Sequence, residues 1–214
     1  MTAETVRSED TAPQSPFPSR AARQEERDRK REAILLAAVR MFNERGFHAT
    51  SLDDVAASLG VTKPVVYHYL GNKDQVLFEC LRIGLSQMME AAETARALGG
   101  DGITRLESFL RCYAVVNMED FGRCVIRTGD EVLVPESRRQ FRALKRQIDD
   151  AMRAMIEDAA NDGSAVVEDI RFTSFAIAGA LNWPARWHQD KGPLPAEAIA
   201  ASLVAFLLDG LRPR

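Results

Sequence analysis

Residues 50–73, TSLDDVAASLGVTKPVVYHYLGNK, constrain this chain more than any other stretch. Leu52, Val55, Ala56 and Leu59 fall at helical spacing and form one apolar stripe. Ser51 stands where a side chain caps the first amides of that helix, and Asp54, three residues on, completes a capping-box pattern. Gly60 follows the stripe and suits the left-handed conformation that ends a helix. Thr62 is placed to cap a second helix, with Pro64 in its first turn. There Val66 and Leu70 lie four apart and pack back on the first helix, which leaves Lys63, Pro64, Val65, Tyr67, His68 and Tyr69 off the core. Two short helices across a glycine turn, the second opening with small and cationic residues and closing with aromatics, is how a protein lays a helix in the major groove of DNA. Spacing alone leaves one alternative: a short surface helix whose aromatics pack on a neighbouring element, since such patterns recur by chance.

The flanks extend the pattern. Upstream, Ile34, Leu35, Ala38, Val39 and Phe42 form an apolar helical face that Gly46 ends. Downstream, Asn72 caps a long helix from Lys73 through Val76, Leu77, Cys80, Leu81, Gly84, Leu85 and Met88 to about residue 98. With Phe42, Gly46-Phe47, Thr50-Ser51, Val55-Ala56, Gly60-Val61, Tyr67, Tyr69, Leu70 and Lys73 in these positions, residues 28–82 resemble the N-terminal domain of the TetR family of bacterial repressors. The chain departs from the family pattern at Leu70-Gly71, where many members carry Phe and a polar residue; leucine fills the same core position. The resemblance implies an all-α fold, with a three-helix helix-turn-helix DNA-binding domain over residues 25–72 and a helical ligand-binding and dimerisation domain over residues 73–214. It also implies a homodimer on a near-palindromic double-stranded operator. Lys63, Pro64 and Val65 would face base edges. Thr50, Ser51, Tyr67, Tyr69 and Lys73 would hold phosphates, with Thr62 and His68 on the same surface.

Charge distribution agrees better than total charge does. The net charge is −3, unusual for a DNA binder, yet residues 20–82 carry 11 basic and 9 acidic side chains, a local +2. Residues 1–24 begin with a Thr-, Ser-, Pro- and Glu-rich stretch without apolar periodicity and read as a disordered tail. Arg20 to Arg31 is dense in mixed charge; its arginines either reach DNA or form a solvated helix start. Cys80, Cys112 and Cys124 sit within apolar helical patterns without metal-like spacing, and are expected to be buried, reduced thiols. No secretory signal or membrane span appears, so a cytoplasmic location is expected. His48, His68 and His188 lie far apart, outside any nucleophile or metal motif, and no glycine-rich phosphate loop is present. The expectation is a protein that is not an enzyme and carries no cofactor or metal.

The second constellation is GALNWPARWHQDKGPLPAEAIAASLVAFLLDGL. Trp183 and Trp187 lie four apart beside Asn182, and Pro184 removes a backbone hydrogen bond between them. Asn-Trp, a second Trp, a Gly-Pro-Leu loop and an apolar helix resemble a subgroup of TetR-like repressors that answer to acyl-CoA thioesters in lipid or related catabolism. Trp183 is expected to line a pocket with Asn182, while Trp187 divides between pocket and packing. Phe109, Tyr113, Phe121 and Phe175 are candidates for an apolar acyl pocket or for core. Arg123 and Arg127 are candidates for the coenzyme phosphates, as are Arg138, Arg139, Arg142, Lys145 and Arg146 unless these form a solvated face. Leu203, Phe206 and Leu207 supply an apolar face for pairing with a second copy. Two alternatives stay open: a multidrug- or antibiotic-responsive efflux repressor on the same scaffold, and a helical acyl-CoA-binding module without DNA binding.

Overall fold

A computed structural model describes residues 19–211, and among them are ten α-helices, one short 3-10 turn and no strand. Helix α1 (Arg20–Arg45) opens on Ser19, whose side chain accepts from the Ala22 amide at 3.1 Å. This cap makes residues 20–24 helical, where a disordered tail was expected. The rest of that tail, residues 1–18, lies outside the described residues. Ile34, Leu35, Ala38, Val39 and Phe42 bury the expected face of α1.

The two short helices form as their caps dictate. Ser51 and Asp54 complete a reciprocal capping box at the start of α2 (Leu52–Ser58). Gly60, at φ 64°, reverses the chain without the steric penalty a side chain would add. Helix α3 (Lys63–Leu70) carries Pro64 in its first turn and buries only Val66 and Leu70. Asn72 and Gln75 form a second capping box at the head of α4 (Lys73–Arg96).

Helix α4 is the axis of the remainder, packed along α5 (Gly102–Met118), α6 (Asp120–Arg127) and α7 (Pro135–Asn161). At one crossing the fit requires glycine: a Cβ on Gly84 would stand 2.6 Å from the Phe121 carbonyl oxygen and 2.9 Å from a Val125 methyl. Helix α6 therefore lies directly on the backbone of α4. A 3-10 turn (Asp130–Val132) leads into α7. Helices α8 (Ile170–Asn182) and α10 (Ala196–Asp209) close the body against α7 and α5 respectively. Between them α9 (Pro184–Trp187) is a single turn. The chain divides at Trp183 because Pro184, as its spacing between the two tryptophans implies, has no amide to continue the ladder.

One continuous apolar core runs from Ile34 of the head to Leu208 of α10. Cys80 and Cys124 are buried in it, but Cys112 is exposed. The core face of α5 passes through Leu110, Tyr113, Ala114 and Asn117, and Cys112 falls outside that arc. Among the described residues no helix is long and apolar enough to cross a membrane.

Candidate nucleic-acid interface and effector cavity

Pairing of Val66 and Leu70 with the core rolls the other faces of α3 outward. Lys63, Pro64, Tyr67 and His68 are exposed, and Val65 and Tyr69 are half-buried. Thr62 occupies the cap position of α3, yet its hydroxyl makes no cap hydrogen bond and stays available. Lys63 Nζ lies 2.9 Å from Asp53 Oδ2 and 5.6 Å from the Tyr67 ring centroid. The Asp53 carboxylate beside it, with a smaller contribution from Tyr67, holds the ammonium above its usual pKa. This exposed pair is cheap to open.

Three expected phosphate contacts have partners within the chain. Thr50 is only 1% exposed, and its hydroxyl donates toward the carbonyls of Gly46 (2.9 Å) and Met41 (3.2 Å). It ties the turn to the end of α1 and does not face outward. Ser51 is exposed, but its hydroxyl donates to Asp54 at 2.7 Å and accepts from the Asp54 amide, so both functions serve the cap. Lys73 reaches back to the His48 carbonyl at 3.4 Å, over the Phe47 ring at 4.3 Å, and burial lowers its pKa. Sequence reasoning weighed the α1 arginines only as an alternative. In the fold, Arg23, Glu26, Arg27 and Lys30 line one groove with His68 and Tyr69 of α3; Lys30 pairs with Glu26 at 2.6 Å, and Arg23 and Arg27 flank the outward helix.

The body encloses a cavity of about 330 Å³ between α4, α5, α6, α7 and α8. Buried Leu85, Met88, Tyr113, Val125, Ile148 and Met152 make its floor, and exposed Lys145, Arg146 and Phe175 stand at its mouth. Of the expected ligand residues, Tyr113, Phe175 and Asn182 line this cavity. Tyr113 Oη donates to Asn182 Oδ1 at 2.8 Å, and burial holds the phenol above its usual pKa.

The other expected ligand residues lie elsewhere. Phe109 is fully buried core, its ring centroid 5.7 Å from that of Tyr113. Phe121 lines a separate hollow beside Leu36 and Pro195. Arg123 is bound to the Met118 carbonyl, to His188 Nδ1 at 3.3 Å and to Asp190 at 2.9 Å, which pins α6 to the loop after α9. Arg127 is exposed and borders the head near Phe47 and His48. Trp183 is 62% exposed, and Trp187 is also turned outward. Ser174, Ile177 and Leu181 carry the buried face of α8, and Trp183, two positions past Leu181, falls on the opposite side.

The arginine-rich segment divides as well. Arg138 donates to the carbonyls of Asp130, Glu131 and Leu133, Arg139 pairs with Glu136, and Arg142 pairs with Asp130. Only Lys145 and Arg146 reach the cavity. The α4 and α6 walls were missed in the sequence, because Leu85, Met88 and Val125 read equally as core. On the outer surface, Phe172, Trp183 and Phe206 are exposed, Phe206 at 79%, with Leu203 and Leu207 half-buried beside it.

A helix-turn-helix with an outward aromatic and cationic helix, joined through a long helix to a cavity-bearing body, is the architecture of a helix-turn-helix transcriptional regulator. The chain belongs to the TetR family of bacterial regulators: residues 34–80 match its regulatory-protein domain, and residues 99–211 match the tetracyclin repressor-like C-terminal domain. Its relatives include the transcriptional activator FasR of Mycolicibacterium smegmatis, 24% identical over 86% of this chain and 84% of that one. They also include the transcriptional repressor KstR2 of Rhodococcus jostii, 24% identical over 85% and 91%. Among solved structures, the TetR family regulator PfmR of Thermus thermophilus is 30% identical, with a TM-score of 0.76 over 84% of this chain and 99% of that one. AibR in complex with isovaleryl coenzyme A and operator DNA shares the fold at 24% identity, with a TM-score of 0.73 over 83% and 97%.

Proposed function

We propose that this chain is a cytoplasmic, ligand-responsive repressor that binds a near-palindromic operator as a homodimer and is released by an acyl-CoA thioester. One observation carries the reading: the cavity is walled by the two helices attached to the DNA head. Helix α4 follows α3 directly, and α6 lies on α4 at Gly84. An occupant that favours one packing of α4 and α6 therefore favours one setting of α3, and differential affinity for two conformers is all the switch requires. Residues 25–72 serve as the reading head and 73–214 as the effector and dimer domain.

In this reading Lys63, Pro64 and Val65 meet base edges. Thr62, Tyr67, His68 and Tyr69 contact the backbone, with Arg23 and Arg27 flanking. Phe172, Trp183 and Phe206 join the Leu203 and Leu207 face against a second copy, setting two α3 helices about 34–36 Å apart. The thioester reading draws support from the apolar floor and from Lys145 and Arg146 at the mouth, which suit a polyanionic carrier. The solved complex of a protein with this fold and isovaleryl coenzyme A agrees with it.

The test is a titration of acyl-CoAs of graded chain length into the protein bound to DNA from upstream of its own gene, read by fluorescence anisotropy. Release by one length class at micromolar concentration is expected. Release by cationic drugs and by no thioester would overturn the effector assignment. Absence of any DNA complex would overturn the repressor assignment.

A further inference from the structure

The amide groups around the cavity admit one arrangement of donors and acceptors. Asn117 is fully buried, and its Nδ2 donates to the Leu181 carbonyl at 3.5 Å and to Asn182 Oδ1 at 2.9 Å. A backbone carbonyl only accepts, so the Asn117 group facing Leu181 is the NH2. The Asn182 group facing that NH2 must then be the oxygen. The same oxygen receives the Tyr113 hydroxyl proton at 2.8 Å. Asn182 Oδ1 thus takes two donors, one for each lone pair; a flip would set its NH2 against the Asn117 NH2, although the Tyr113 hydroxyl could turn to accept.

The Asn182 Nδ2 hydrogens are left over. They have no hydrogen-bond partner among the described residues, and Asn182 is part of the cavity wall. Leu85, Met88, Val125, Ile148 and Met152 offer no acceptor side chain, and the two acceptors that also line the cavity are engaged elsewhere, Asp149 with Arg153 and Thr128 with Cys124. Asn117 Oδ1 is also buried without a partner among the described residues. The buried Asn117 oxygen lowers stability by its desolvation, whereas Asn182 is half-buried and its Nδ2 is not among the buried unpaired atoms, so it stays reachable from the cavity. Burial keeps the Tyr113 phenol protonated across the physiological range, so the array holds at working pH.

We infer that Asn182 is the specificity-determining residue of the cavity: its fixed Nδ2 donates to a carbonyl oxygen on an otherwise aliphatic effector, with Tyr113 and Asn117 as positioning residues. The array selects a thioester, ketone or amide over a hydrocarbon or thioether of the same length, because only an acceptor satisfies the donor. A site built to hydrogen-bond its ligand rejects an analogue lacking that atom more strongly than an apolar pocket rejects a change in length. The inference deepens the proposed effector reading, but it needs only the acyl portion.

The experiment uses matched pairs and calorimetry on the full chain. The first pair is an acyl-CoA and the S-alkyl-CoA thioether of equal length. The second is an S-acyl-N-acetylcysteamine and its S-alkyl counterpart, which carry no nucleotide. The wild-type protein is expected to bind each acyl member about ten- to hundredfold more tightly. Asn182→Asp keeps the oxygen that Tyr113 and Asn117 bind but removes the donor, and is expected to level each pair. Equal affinities in the wild-type protein, a result needing no variant, overturn the inference and leave the coenzyme reading standing. A preference that survives Asn182→Asp overturns it too. Carbonyl preference in the short pair alone, with no CoA compound bound, supports Asn182 and removes the coenzyme. Binding by neither pair overturns both.

Discussion

Arg40 Nε of α1 lies 2.8 Å from Asp120 Oδ2 at the start of α6. The Asn43 side chain donates to the Asp120 carbonyl at the same distance, so two links join the DNA head to a helix that walls the cavity. The Asp120 carboxylate raises the Arg40 pKa by its hydrogen bond and its charge.

Arg40→Ala tests that link. Arg40 is largely exposed, so its removal should cost under about 1 kcal/mol of stability. The effector-induced loss of DNA affinity should shrink about threefold or more, measured by anisotropy with and without saturating effector. Unchanged release would show that α6 signals by another path.

Lys63→Ala should weaken binding to the natural operator about tenfold and relax preference at one base position. Binding to a panel of single-base operator variants checks this. Uniform weakening with preference intact would reassign Lys63 to the phosphate backbone.

Thr50→Val removes a buried hydroxyl shared by two carbonyls. The loss should be about 1–2 kcal/mol, a fall of roughly 2–8 °C in Tm. Operator affinity measured well below the transition should stay within about twofold, because the hydroxyl is buried against those carbonyls. A large affinity loss with an unchanged Tm would restore a direct contact.

Phe206→Asp places a charge on the exposed face of α10 without entering the core of one chain. Light scattering should show the mass halve and binding to a two-half-site operator collapse, with far-ultraviolet ellipticity unchanged. A dimer that persists would move the interface elsewhere.

Thiol labelling reads burial directly. Burial pushes Cys124 up to about 11 and Cys80 well above the ordinary thiol range, while Cys112 is exposed. A maleimide at neutral pH should add once to the native chain, at Cys112, and three times in denaturant, counted by mass spectrometry. Rapid native labelling of Cys80 would mean that α4 opens from α1.

The local punctuation of this fold was legible in its residues. Ser51 with Asp54, Gly60 and Asn72 announced helix boundaries that the structure bears out. These signals act over three or four residues, and the sequence displays such distances directly. The outward face of α3 was legible for the same reason, since Val66 and Leu70 leave only one buried stripe.

Facing was harder. Thr50 and Ser51 look alike as polar residues in a turn, yet one closes α1 and the other caps α2. Trp183 looked like a pocket residue through its neighbour Asn182, yet a single residue along a helix turns the side chain by about 100°. Helical periodicity and capping, written in neighbouring residues, determined the fold class, the helix-turn-helix and the outward face of its second helix. The cavity, the two outward tryptophans and the Tyr113–Asn182–Asn117 array were decided only by tertiary packing. Tyr113 and Asn182 stand 69 positions apart. No local rule links such residues; they meet because α5 and α8 must bury their apolar faces against a shared core.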